Sequence, residues 1–304
     1  MEKKNITVAF AVFFISFGFF PLSQPYALAE TAGMHAHHDG AGDARGAYAT
    51  RDEGVIVEHK TEPARIAAGS PTTIVLSLKD RKGKPLQGLS IHHERILHVV
   101  IAGQDFSAFA HIHPEDLGPI SPEMKKTAGF HVRYTFPKAG RYLIGVDFAV
   151  GEQLFSKHFS VDVAGEPQMG SPEKDLSREK RFGDLDVSLA SIPERIMAGK
   201  EVTLRYLFKR NGEPVDDLEP YLSAPMHLSI ISADLDHFIH THGELPGMSS
   251  MGQHGHHMHM AVPPKFGPEI DVHVVFPAKG VYQVFGQVGR QGEVIVTGFM
   301  VEVE

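Results

Sequence analysis

Phe136-Pro137-Lys138-Ala139-Gly140-Arg141-Tyr142 returns later in the chain as Phe276-Pro277-Ala278-Lys279-Gly280-Val281-Tyr282. Pro resists continuing a strand ladder and Gly supplies a tight bend, so each heptapeptide reads as a corner with a strand on either side. A Gly-x-Tyr at such a corner matches the tyrosine corner of immunoglobulin-like sandwiches. The Cys usual two residues later is replaced by Ile144 and Val284. A second block, Glu62-Pro63-Ala64-Arg65-Ile66-Ala67-Ala68-Gly69, is matched by Ile192-Pro193-Glu194-Arg195-Ile196-Met197-Ala198-Gly199. Blocks kept in the same order indicate an internal duplication.

Between these blocks the chain reads as short β-rich runs separated by turn residues, with no long stretch of helical periodicity. Predicted strands in the first copy are 55–59, 72–79, 96–102, 130–136, 141–148 and 154–163. Those in the second are 185–190, 201–209, 226–232, 271–276, 281–288 and 293–303. Lys82-Gly83 and Asn211-Gly212 mark turns, because these dipeptides tolerate positive φ. The expected fold is all-β, with two tandem immunoglobulin-like β-sandwich domains at 54–164 and 182–304. A polar, Pro-containing segment at 165–181 reads as a linker.

The most specific repeated pattern is chemical. His98, then Asp105, Phe109, His111, His113 and Glu115, keep their spacing as His227, Asp234, Phe238, His240, His242 and Glu244. In an extended segment, period two places both imidazoles of a His-x-His on one face. A hairpin turning near Asp105 or Asp234 brings the upstream His alongside, giving three imidazoles per domain. Glu115 or Glu244 then stands as an oxygen ligand or outer acceptor. Neutral imidazole suits Cu, Zn, Ni and Fe, so this motif does not choose the metal. The competing expectation is that the His residues hydrogen-bond across a turn or sense pH. The Asp residues read as turn closers and Phe109 and Phe238 as core plugs. His59, His92, His93, His158 and His237 lack counterparts of the same type and read as surface or local structural groups.

The second copy carries an insertion, 246–264, where the first is expected to have a short loop. It contains Met248, Met251, His254, His256, His257, Met258, His259 and Met260. Thioether with imidazole, without thiolate, is a ligand set suited to Cu(I), with Cu(II) held by the His members. The alternative is a merely polar low-complexity loop. An arm at 30–53 repeats the theme with Met34, His35, His37 and His38.

Lys3 and Lys4, an apolar run from Ile6 to Phe20 and the small-residue site Ala27-Leu28-Ala29 predict a signal peptide at 1–29, with an uncleaved anchor as the alternative. No second apolar stretch reaches spanning length, so the mature chain is expected to be periplasmic or secreted, without a transmembrane segment. The chain has no cysteine, which excludes disulfides, thiolate sites and thiol catalysis. Net charge is −8, becoming −9 once Lys3, Lys4 and Glu2 leave with the signal. That balance argues against nucleic acid as the partner.

The His-x-Val-Val and Asp-x-x-x-Phe-x-His-x-His-Pro-Glu run of the first copy resembles bacterial exported proteins with YtkA-like immunoglobulin-like domains. These are associated with copper and heavy-metal handling. The resemblance implies a β-sandwich in the cell envelope. The second copy departs from it with Gly243 in place of Pro114 and Ser229 in place of Val100.

The expected function is therefore a periplasmic metal-binding protein for buffering, carriage or resistance. Copper is the first expectation and zinc the second, with an envelope metal transporter or another metal carrier as partner. The alternative is a non-catalytic structural or adhesion-like module. Three His ligands with an open position also match a metal-dependent enzyme. No nucleophile motif accompanies them, and the chain is read as not an enzyme.

Overall fold

The computed structural model describes residues 54–166, 169–247 and 262–304. The segments expected to be a signal peptide, 1–29, and an arm, 30–53, and the Met/His run 248–260 lie outside the described residues. The first repeat runs β1 (Val55–Glu62), β2 (Pro71–Asp80), β3 (Leu89–Ser90), β4 (Leu97–Gly103), β5 (Phe109–Ile112), β6 (Gly129–Thr135), β7 (Gly140–Val150) and β8 (Gln153–Val163). The second runs β9 (Glu179–Phe182), β10 (Leu185–Ile192), β11 (Glu201–Arg210), β12 (Glu213–Pro214), β13 (Leu218–Glu219), β14 (Met226–Ser232), β15 (Phe238–Gly243), β16 (Glu269–Val275), β17 (Gly280–Arg290) and β18 (Glu293–Val303).

Each repeat folds as two antiparallel sheets packed face to face. In the first, β1-β2-β6 faces a sheet in which β7 pairs with β3, β4 and β8, and β4 pairs with β5. In the second, β9, β10, β11, β12 and β16 form one sheet, while β13, β14, β15, β17 and β18 form the other. A parallel bridge ties the segment after the first strand to the last one in both copies, Ala67 to Ala164 and Ile196 to Val303. Tyr142 donates its hydroxyl to the Lys138 carbonyl at 3.0 Å, and Tyr282 donates to that of Ala278 at 2.9 Å. Both corners thus have the bond that defines them in immunoglobulin-like sandwiches, and the fold is two tandem domains of that kind.

Strand β9 begins at Glu179 and pairs with β10, inside the segment expected to be linker. Met169 packs on the first core, close to Gly103 and Gly140. The connection between β5 and β6 also differs from the short loop expected. It holds a 3-10 turn (Pro114–Leu117) and one helical stretch, α1 (Pro122–Thr127), capped by the Ser121 hydroxyl accepting from Met124 N–H.

Strands β4 and β14 are buried along their whole length. Period two explains how: Leu97, Val99 and Ile101 enter the first core, Met226, Leu228 and Ile230 the second, and the residues between them face the opposite way. Those outward faces meet. Val100, Ala102, Phe106 and Leu143 of the first repeat form a third apolar cluster with Ile231, Leu235, Phe238, Phe285 and Met300 of the second. The described residues accordingly belong to one compact unit.

Candidate metal centre

The outward faces carry the repeated chemistry. β4 pairs with β5 and β14 with β15, so each upstream His stands beside its own His-x-His. His227 and His242 lie directly opposite in the ladder. The outward direction delivers all six histidines to the junction of the repeats, and His98, His111, His113, His227 and His240 are buried there.

The junction is reciprocal, as across a two-fold axis. His98 lies opposite Asp147 in the β4-β7 ladder and His227 opposite Gln287 in the β14-β17 ladder, making Asp147 and Gln287 equivalent positions. His240 Nδ1 lies 2.9 Å from Asp147 Oδ2, and His111 Nδ1 lies 2.8 Å from Gln287 Oε1. Phe109 stacks on Phe285 at 4.2 Å between ring centroids. Phe238 covers Gly145, where a Cβ would come within 2.4 Å of its ring. Phe109 and Phe238, expected to be plugs of their own cores, therefore seal the junction instead. The cause is that they share the outward face of β5 and β15 with the histidines.

The inner trio has the geometry of a ligand set. His98 Nδ1 lies 3.0 Å from His111 Nε2, and His113 Nε2 lies 3.3 Å from that same atom. Two nitrogens bound at about 2.0–2.1 Å to a tetrahedral ion stand about 3.3–3.4 Å apart. The opposite nitrogens face oxygen acceptors: His98 Nε2 the His92 carbonyl at 3.1 Å, His111 Nδ1 the Gln287 side chain, and His113 Nδ1 the Asp116 carboxylate at 3.5 Å. These acceptors place the protons outside, so the three inward nitrogens present lone pairs to one another.

Across the junction, His98, His227 and His240 form a second set with ligand atoms within 4.8 Å of one another. Both ring nitrogens of His227 and Nε2 of His240 are buried without a hydrogen-bond partner. Burial, followed by the neighbouring imidazoles, holds His98, His111 and His227 well below the usual histidine range. His242 is lowered in the same way. Burial also lowers His113, against the opposing pull of Asp116. These rings are therefore neutral at neutral pH, the form that binds metals.

Two residues read as surface or local structural groups belong here. His92 and His93 sit on a tight turn preceding β4, and with His242 they make a third set with ligand atoms within 4.8 Å. Their position six and five residues ahead of the candidate ligand His98 was the available signal; the lack of like residues in the other copy concealed it. Glu115 is not in any of these sets; its Oε1 accepts from Ile96 N–H at 2.8 Å and anchors the entry to β4, while its Oε2 is buried without a hydrogen-bond partner. Glu244 pairs through its backbone with Asp271. The candidates Met248, Met251, His254, His256, His257, Met258, His259 and Met260 lie outside the described residues.

No curated protein matches the chain in sequence. Solved structures similar to parts of it include FdeC, an Escherichia coli adhesin, at 13% identity over 82% of this chain and 64% of that one, with a TM-score of 0.23. Invasin, a bacterial integrin-binding protein, is similar at 12% identity over 82% of this chain and 39% of that one, also with a TM-score of 0.23. The chain thus spans less than two thirds of either, and such partial superpositions bear on no functional point. Residues 49–165 and 180–304 each match the family described as a domain of unknown function (DUF8832), one match per repeat, and the chain belongs to that family.

Proposed function

We propose that the histidine cluster between the repeats binds a transition-metal ion and that the protein is an exported metal buffer or carrier, with copper as its first cargo and zinc as the alternative. One observation carries this reading: three buried imidazole nitrogens, on His98, His111 and His113, converge at ligand-ligand spacing while oxygen acceptors hold their protons on the far side. Without a cation, those lone pairs face one another in a buried site. A bound ion replaces that repulsion with coordination, and the carboxylate and amide partners orient the rings for it. His227 and His240 extend the donor set across the junction, with three of their nitrogens otherwise unpaired.

An all-nitrogen set suits both Cu(II) and Zn(II). The preference for copper rests on the methionines of 248–260, whose thioethers suit Cu(I), and on the resemblance to exported YtkA-like proteins. The simplest test is titration of the full mature chain with Cu(II) and Zn(II), compared with a variant carrying His98→Ala, His111→Ala and His113→Ala. Loss of at least one tightly bound equivalent in the variant is the expected result; equal binding in both opposes it.

A second reading, a non-catalytic interaction module with structural histidines, has one observation in its favour. The His240–Asp147 and His111–Gln287 contacts fasten the two repeats to each other without any ion. That reading requires a melting temperature indifferent to metal, whereas a native-state site stabilises by mass action.

A further inference from the structure

We infer that His92, His93 and His242 form a second transition-metal site, distinct from the inner trio. The inference rests on the reading of this cluster as a metal centre and adds a second ion to it. The three rings are close together: His92 and His93 at 4.2 Å between centroids, His93 and His242 at 3.8 Å, and His92 and His242 at 5.7 Å. Their ligand atoms fall within 4.8 Å of one another.

The turn that presents His92 and His93 is a tight one. The bridge between His92 and Arg95 encloses His93 and Glu94, both at positive φ, as in a two-residue hairpin turn. The second repeat builds the same turn between Tyr221 and Ala224, with Leu222 and Ser223 at positive φ. It therefore keeps the backbone and lacks the imidazoles. His93 Nδ1 lies 3.2 Å from the Leu222 carbonyl, an acceptor that places the proton there and leaves the lone pair on Nε2. The site is thus single, assembled from the turn of the first repeat and β15 of the second.

It is compatible with an ion in the inner cluster at the same time. His98 is common to the two buried sets, so those sets compete for one ion, whereas His92, His93 and His242 belong to neither. As whole residues all three are less buried than His98, His111 and His113, although both ring nitrogens of His242 and Nε2 of His92 are themselves buried. The ligand class is a divalent or monovalent transition-metal ion of imidazole preference, Zn(II) or copper.

The test is Zn(II) stoichiometry of the full mature chain by calorimetry, with each variant's fold checked by thermal melting. His92→Gln with His93→Gln is expected to remove one equivalent and leave the others. His242→Asn, on the other repeat, is expected to remove that same equivalent, so that the triple variant loses no more than the double. His111→Gln with His113→Gln is expected to remove a different one. A double variant at 92 and 93 that binds as much Zn(II) as the unaltered protein overturns the second site. A loss with His92 and His93 but none with His242 overturns its assembly from both repeats. If the 111 and 113 variant alone loses nothing, the buried trio fails while this site stands.

Discussion

Asp147 and His240 belong to different repeats, yet Asp147 Oδ2 lies 2.9 Å from His240 Nδ1. A carboxylate on the far nitrogen fixes the tautomer of a ligating histidine, keeping its proton on Nδ1 and its lone pair on Nε2. Replacing Asp147 with Ala is expected to weaken binding of Cu(II) or Zn(II) about 10- to 100-fold. It also leaves a buried imidazole without its acceptor, costing about 1–3 kcal/mol. Metal affinity by competition with a chelator and denaturant melting of the metal-free protein measure the two effects separately.

The junction of the repeats is a packed core as well as a polar one. Gly145→Val places side-chain atoms where the Phe238 ring lies, since even a Cβ would come within 2.4 Å of it. Overpacking of this kind costs about 1–3 kcal/mol. Hydrogen exchange is expected to speed up on the outward faces of β4, β7, β14 and β17 while the inner core strands β2 and β11 stay protected. Metal affinity is expected to fall in parallel, because two of the three ligand sets draw on both repeats.

The tyrosine corners provide the matched control. Tyr142→Phe and Tyr282→Phe each remove one hydroxyl bond to a backbone carbonyl. Each is expected to lower stability by about 1 kcal/mol. Calorimetric metal stoichiometry is expected to stay unchanged, because neither hydroxyl belongs to a ligand set.

The pH dependence follows from His98, His111 and His227, all held well below 6.5 by burial. The unfolded chain takes up their protons as pH falls through about 6.5, while the folded protein does so only at lower pH. The stabilising contribution is therefore complete above that value and is lost on acidification below it. Each such histidine steepens the loss by up to about 1.4 kcal/mol per pH unit. Melting of the metal-free protein is expected to be flat in this respect from pH 7.5 to 8.5 and to drop from pH 6.5 downward. Protons compete with metal for these nitrogens only where the folded protein's histidines titrate, so metal affinity is expected to fall at lower pH than the range in which stability begins to drop.

Much of the fold was legible because the duplication repeated its own punctuation. Phe-Pro-x-x-Gly-x-Tyr located β7 and β17, while β5 and β15 were absent from the predicted strands and entered only as the extended segments that the His-x-His spacing would require. The alternation rule gave less where it mattered most. Leu97-His98-Val99-Val100-Ile101-Ala102 and Met226-His227-Leu228-Ser229-Ile230-Ile231 carry few polar residues on either face, the pattern of a strand covered on both sides. The outer cover is the other repeat, which no local pattern can name. For the same reason the motif appeared as two separate trios, whereas packing merges them. Asp147, Gln287, His92 and His93 had no matching residue type in the other copy, so repetition did not mark them. Their roles arise from what faces them across the junction.

The most direct test of the central claim is anomalous diffraction at the metal edge from crystals of the protein loaded with Cu(II) or Zn(II). The predicted result is a peak between the repeats, about 2.0–2.1 Å from His98 Nδ1, His111 Nε2 and His113 Nε2. A loaded protein with no peak among these histidines, its metal bound only elsewhere, would contradict it.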